Sequence, residues 1–179
     1  MKILKIVAVL FGLMIAVVLI VGLFSPKDYH ILREVIIERP HQEVYDYVKF
    51  LKNHDNFSKW ASMDPNMKKE YKGTDGTVGF ISSWESENKN VGKGEQEIIA
   101  IEEGKRIDYQ LRFFEPFESS DKAFMTFESL NAYQTKVQWG FDGHMGFPMN
   151  TLLLFMNMEK MIKDDFETGL NNLKSILEN

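Results

Sequence analysis

Two side chains in this sequence stand where proton chemistry would be possible. On continuous helical numbering Glu159 falls inside an apolar stripe made by Phe155, Met158, Ile162 and Phe166. A carboxylate buried there would have a raised pKa, and would act as a general acid or base or hold the polar head of a ligand. The alternative is a local bend that turns Glu159 to solvent, or a pairing with Lys163 one turn on. Tyr109 is the second candidate. It shares the inward phase of an alternating run with Ile107, Leu111 and Phe113. Ser82 and Gln96 have the same phase in their own runs. A few polar groups among aromatics describe a ligand pocket, and they equally describe hydrogen-bonded polar groups of a closed core.

Other chemistries find less support. His30, His41, His54 and His144 are scattered, with no pair one helical turn apart and no carboxylate in register. They read as solvent-exposed, and no metal site is expected because a metal needs converging ligands. The chain has no cysteine, which excludes disulfides and thiolate chemistry. It also lacks a Gly-x-Ser-x-Gly nucleophile turn and a Gly-rich phosphate loop, so no cofactor is expected. The formal net charge is −5, and the two lysines nearest the N-terminus leave the remainder more acidic still. That balance is a poor fit to nucleic acid or to anionic headgroups as electrostatic partners.

The aromatic share is high, at 13%. Tyr47, Phe57, Trp60, Phe80, Trp84, Tyr109, Phe113, Phe127, Trp139 and Phe141, with Phe155, Met158 and Ile162, either line an apolar cavity or fill it. Met145, Met149, Met156, Met158 and Met161 crowd into one short stretch. Flexible thioethers suit surfaces that accept varied apolar partners. Leu153, Leu154 and Met161 lie off the stripe and leave more apolar surface than one sheet face needs, a surface that would meet lipid or gate the pocket.

These residues must be positioned by the elements around them. Residues 6–24 carry no charge and are rich in Val, Ile and Leu. At about 1.5 Å per residue such a helix spans roughly 28 Å, close to the ~30 Å of a hydrocarbon core. The run is too long for a signal-peptide core and lacks a small-x-small cleavage site. A retained anchor over 1–26 and a separate domain over 27–179 are therefore expected. Lys2 and Lys5 on one flank against Lys27 on the other leave the N-terminus cytoplasmic and the domain outside, as a single-pass membrane protein.

Strands are expected at 29–38, 68–72, 78–84, 93–102, 107–113, 123–127 and 137–143, from period-two alternation bounded by turn residues such as Gly73-Thr74-Asp75-Gly76. Val44, Tyr47, Val48 and Leu51 mark an amphipathic helix that Pro40 starts, and a second short helix covers 56–61. The stripe Phe155, Met158, Ile162, Phe166, Leu170, Leu173 and Leu177 marks a helix over the last thirty residues. Asp164-Asp165-Phe166-Glu167 reads as a capping box inside it, so bend and continuity stay open near Lys163. A stripe of this length needs a broad cover. An α+β body follows: a seven-stranded antiparallel sheet wrapped around a long C-terminal helix, preceded by a transmembrane helix.

That order is similar to the helix-grip fold of the SRPBCC superfamily, which includes START lipid-transfer domains, the birch-pollen-allergen family and polyketide cyclase/dehydrase-like proteins. The resemblance covers about residues 29–177. Arg39-Pro40-His41-Gln42-Glu43-Val44-Tyr45-Asp46-Tyr47-Val48 carries it, as do Phe57-Ser58-Lys59-Trp60 with Met63-Asp64-Pro65-Asn66-Met67. Val91-Gly92-Lys93-Gly94 and Lys136-Val137-Gln138-Trp139-Gly140-Phe141 continue it. The closing Phe155-Met156-Asn157-Met158-Glu159-Lys160-Met161 resembles the membrane-anchored branch labelled polyketide cyclase. The resemblance implies an apolar cavity between sheet and helix that holds a hydrophobic small molecule. It transfers no catalytic set, because the polar groups of catalytic members find no matching set here.

Three functions are therefore expected as rivals. The first is a membrane-tethered domain that binds a lipid or other apolar molecule. The second is a cyclase- or dehydratase-type enzyme using Glu159 or Tyr109. The third is a protein-interaction module with a filled cavity, whose Leu153 and Leu154 face meets another membrane protein.

Overall fold

A computed structural model describes residues 2–154 and 158–179, with side chains described for 2–154 and 160–179. The expectations for Phe155, and for the Met158 and Glu159 side chains, lie outside the described residues. Helix α1 (Lys2–Phe24) is followed by strand β1 (Asp28–Ile37), then by α2 (His41–Lys49), α3 (Leu51–Phe57) and α4 (Lys59–Met63). Strands β2 (Lys68–Lys72), β3 (Ile81–Glu85), β4 (Lys93–Glu102), β5 (Arg106–Glu115), β6 (Ser119–Asn131) and β7 (Gln134–His144) come next. A 3-10 segment (Met149–Leu154) and helix α5 (Met158–Glu178) close the chain.

The seven strands form one antiparallel sheet in the order β1-β7-β6-β5-β4-β3-β2. Successive strands pair as hairpins from β2 to β7, and β1 returns to the free edge of β7. Helix α5 lies on β1 and β7 and touches α3 and α4. This is the α+β, helix-grip arrangement expected from the sequence, with an apolar helix ahead of it.

Several local expectations need correction. The helix run through Val44, Tyr47, Val48 and Leu51 is broken at Phe50, whose backbone is extended. Asp75 causes the restart: its carboxylate accepts from the backbone N–H of Leu51 at 2.8 Å and of Lys52 at 3.2 Å. A side chain from the Gly73–Gly76 turn thus caps α3 from outside its own segment. Gly76, at φ 77°, supplies the left-handed conformation that this turn requires. The expected short helix near 56–61 becomes the end of α3 and all of α4. Strand β3 begins only at Ile81, and Val78 is exposed.

The expected helix over the last thirty residues does not extend as an α-helix through Met149–Leu154. Residues Met149–Leu154 are a 3-10 segment, and the α-helix is described over Met158–Glu178. It runs unbroken over that range, so the Asp164–Glu167 pattern starts no new helix. Asp165 instead binds Lys59 at 2.6 Å, tying α5 to α4. The stripe itself is buried at Phe166, Leu170 and Leu173, with Ile162 and Leu177 half-buried behind them.

Candidate ligand-binding site

The concave face of the sheet, on which α5 lies, divides by register into a closed part and an open part. In the closed part the rings meet one another. Trp139 stacks on Phe166 with centroids 4.4 Å apart and planes 11° off parallel. Phe57 stands edge-on to Trp139 at 5.8 Å, and Trp60 edge-on to Phe166 at 5.9 Å. Tyr45 meets Phe127 edge-on at 5.3 Å. Offset and edge-to-face contacts of this kind are how aromatic cores normally pack. Among the expected lining residues, Phe57, Phe80, Tyr109, Phe127, Trp139 and Phe141 are all buried in this cluster.

Farther along the same face the side chains lose cover. Ile98 and Tyr109 are cross-strand neighbours and are fully buried. One step on, Ser82, Gln96 and Leu111 form the next row, and Trp84, Gly94 and Phe113 the row after it. Ser82, Gln96, Leu111, Trp84 and Phe113 are all half-exposed. Trp84 lies edge-on to Phe113 at 5.9 Å, and its indole N–H donates to the Val91 carbonyl at 3.3 Å. Its ring covers Gly94, where a Cβ would stand 2.6 Å from it. The arrangement is two aromatic walls and a leucine around two neutral polar groups. Such a surface offers area to an apolar ligand and a hydrogen bond or two to a polar end.

Tyr47, Trp60 and Ile162 are half-buried at the margin of the closed cluster, and the Tyr47 hydroxyl accepts from Asn56 at 3.1 Å. Two surface hollows lie elsewhere. One, of about 340 Å³, is bounded by Arg33, Glu34, Glu167 and Asn171 at the β1–α5 edge, and one of about 450 Å³ by Asp55, Asp64 and Lys69. Their charged rims make both poor receptacles for an apolar molecule.

Tyr109 is held as a neutral phenol. Burial, with smaller contributions from Tyr45, Asp108 and Asp75, raises its pKa well above the ordinary phenol value. Its hydroxyl has no hydrogen-bond partner among the described residues. A phenol so held stays protonated, and it sits one row behind the open surface.

The histidines depart from expectation. His54 is buried, 4.9 Å from Phe57 and 5.6 Å from Tyr109 by ring centroids. Its spacing with Leu51 and Phe57, three residues either side on α3, was the available signal and was missed. His30 and His144 are exposed as expected, but each does have a carboxylate: Asp142 at 2.5 Å and Asp28 at 2.6 Å. Those partners sit on the neighbouring strand more than a hundred residues away, so no local pattern reveals them. Tyr45, fully buried, was also overlooked. Among the described residues no three His, Asp or Glu side chains converge as metal ligands.

A curved antiparallel sheet closed by a C-terminal helix, with part of its concave face open, defines the class of protein. The family described as polyketide cyclase / dehydrase and lipid transport matches residues 30–178, and the chain belongs to that family. No curated protein matches the sequence. Among solved structures it is similar to truncated norcoclaurine synthase from Thalictrum flavum, at 12% identity and a TM-score of 0.64, over 86% of this chain and 95% of that one. It is also similar to the Aha1 dimer from Colwellia psychrerythraea, at 13% identity and a TM-score of 0.59, over 84% and 96% of the two chains. At these identities the likeness concerns the fold.

Proposed function

We propose that this protein is a membrane-tethered receptacle for a hydrophobic small molecule or lipid, held on the open rows of the concave face. The observation that carries the reading is the abrupt change along one face, from the buried Ile98–Tyr109 pair to the half-exposed Trp84, Leu111 and Phe113. Aromatic and aliphatic side chains left half-covered on an inward face gain by burial against a ligand, at about 25 cal/mol per Å² before ordering costs. Ser82 and Gln96 would orient a polar end. Family membership, with lipid transport in the family's description, agrees with this chemistry.

The tether is α1, long and apolar enough to span a bilayer and exposed over nearly its whole length. Lys2 and Lys5 on one side favour a cytoplasmic N-terminus and a domain on the opposite side. Labelling of a Tyr133→Cys variant by an impermeant thiol reagent on intact cells tests that orientation, and labelling only after lysis would reverse it.

The ligand site is tested with the full-length protein in detergent and a fluorescent fatty acid excited by transfer from tryptophan. Covering the exposed half of a phenyl ring is worth roughly 1 kcal/mol, so Phe113→Ala should weaken the probe by about fivefold. Phe113 is half-exposed, and the thermal midpoint should change little. Unchanged probe affinity in Phe113→Ala and in Trp84→Ala alike would remove the site from these rows. Organic extraction of the purified protein followed by mass spectrometry then identifies what is carried.

A further inference from the structure

Residues 145–158 carry no charged side chain, and the 3-10 segment within them is fastened to the end of α1. Asn150 Nδ2 donates to the carbonyls of Gly22 at 2.7 Å and Ser25 at 3.1 Å. The Gly22 carbonyl is one of those a helix end leaves without a partner. The Thr151 hydroxyl lies 3.4 Å from the Val18 carbonyl and donates to that of Pro148 at 3.0 Å. Gly22 makes the close approach possible, since a Cβ there would stand 2.7 Å from Thr151 Oγ1 and 3.3 Å from the Phe147 ring. Met145 N–H donates to the Lys27 carbonyl at 2.8 Å, fixing the segment from its other side.

Val18 lies about 9 Å along the axis from the end of α1, at ~1.5 Å per residue. Thr151 therefore sits beside the apolar span itself. The polar side chains of the segment are turned onto α1, while Phe147 (44%), Met149 (43%) and Leu154 (54%) are exposed. A water-facing segment would show the opposite arrangement. In hydrocarbon or its interface, shielding polar groups against the protein and presenting apolar ones outward is what stability demands.

Register adds a direction. Asp28 and His144, next to the anchor, are paired at one end of the β1–β7 ladder. Following the pairings across the sheet, Tyr29 and Gly143 share a row with Asp121, Leu111, Gln96 and Ser82. The open rows of the concave face are thus at the anchored end of the sheet.

We propose that residues 147–154 are seated in the lipid bilayer beside α1 and hold the domain with the open end of its concave face against the membrane. This rests on the reading of α1 as a membrane span. The segment is then an intramolecular clasp that restricts how the domain tilts, and a ligand would exchange between that face and the lipid without crossing bulk water.

The absence of cysteine makes the test clean. Full-length Leu13→Cys, Leu152→Cys and Tyr133→Cys variants are labelled with an environment-sensitive dye and placed in phosphatidylcholine nanodiscs. The dye at position 152 should emit to the blue of that at 133, and be quenched most by lipid spin-labelled near the headgroup. The dye at position 13 should be quenched most by lipid labelled near the bilayer centre. Water-like emission at 152 with deep quenching at 13 would leave the tether standing and overturn the seating. Water-like emission at both would overturn the tether and the seating with it. Emission at 152 that turns blue only on adding solubilised membrane protein would assign the surface to a protein partner and overturn the seating as well. Combining Leu152→Cys with Asn150→Ala should shift its emission toward that of water, because the clasp is what holds the segment down.

Discussion

Phe166→Ala is expected to destabilise the domain by about 3–5 kcal/mol, the usual cost of removing a buried phenyl ring from a core that cannot collapse around the hole. Phe166 is 2% exposed, stacks on Trp139 and receives Trp60 edge-on. It lies at the middle of α5, between the half-buried Ile162 and the buried Leu170. The surroundings are stiff on each side. Trp139 belongs to the interior strand β7, next to β1 and β6 in the sheet. Gly169, one turn below, already lies so close to the Trp139 ring that a Cβ would approach it to 2.9 Å. Chemical denaturation followed by tryptophan fluorescence, on the full chain in detergent, checks the prediction. A loss below about 1 kcal/mol would mean that α5 is held to the sheet by something other than this stack, whereas Phe113→Ala should cost little because its ring is already half in solvent.

Acidification should destabilise the domain through His54. The Val48 carbonyl can only accept, so the His54 Nε2 atom 2.9 Å away carries the proton and donates it. The ring is neutral. Burial among Phe57, Tyr109 and Trp139 pushes its pKa down to about 4; the Val48 carbonyl, Asp55 and Asp75 act in the opposite direction and offset only part of this. In the unfolded chain the imidazole takes up its proton near pH 6.5. Between those values the unfolded state binds more protons than the folded one, so stability rises with pH. The contribution is fully present above about pH 6.5 and is lost as pH falls toward 4. At ~1.4 kcal/mol per pKa unit it amounts to about 3 kcal/mol. His54→Gln places an amide N–H where Nε2–H was and has no charge to acquire. Thermal midpoints measured from pH 7 to pH 4 should fall steeply for the wild type and much less for the variant. Parallel curves would show that the acid sensitivity lies elsewhere.

Much of the architecture was legible because it rests on periodic, local signals. Alternation marks β5 at Ile107, Tyr109, Leu111 and Phe113 whatever the partner strands are, since a strand turns successive side chains to opposite faces. The stripe at Phe166, Leu170 and Leu173 likewise requires only the pitch of a helix. Errors arose where a distant group intervened. The break at Phe50 comes from Asp75, and the 3-10 geometry of Met149–Leu154 accompanies hydrogen bonds from Asn150 and Thr151 to α1. The Asp164–Glu167 capping pattern is real as a sequence feature, but Asp165 is occupied by Lys59.

The candidate site shows the same division more sharply. Composition and alternation single out Trp84, Tyr109, Phe113 and Trp139 with equal force, as rings on an inward face. Nothing local separates the pair that packs solidly from the pair that stays half-open. By itself, the sequence determined an apolar N-terminal helix, an acidic α+β domain without thiol chemistry, and a concave face rich in aromatics. Only the tertiary structure decided that Trp139 is sealed under Phe166 while Trp84 and Phe113 remain accessible, and that the accessible rows lie at the end of the sheet nearest α1. The physical reason is that exposure on a curved sheet depends on where the covering helix crosses it, and that is set by contacts between residues far apart in the chain.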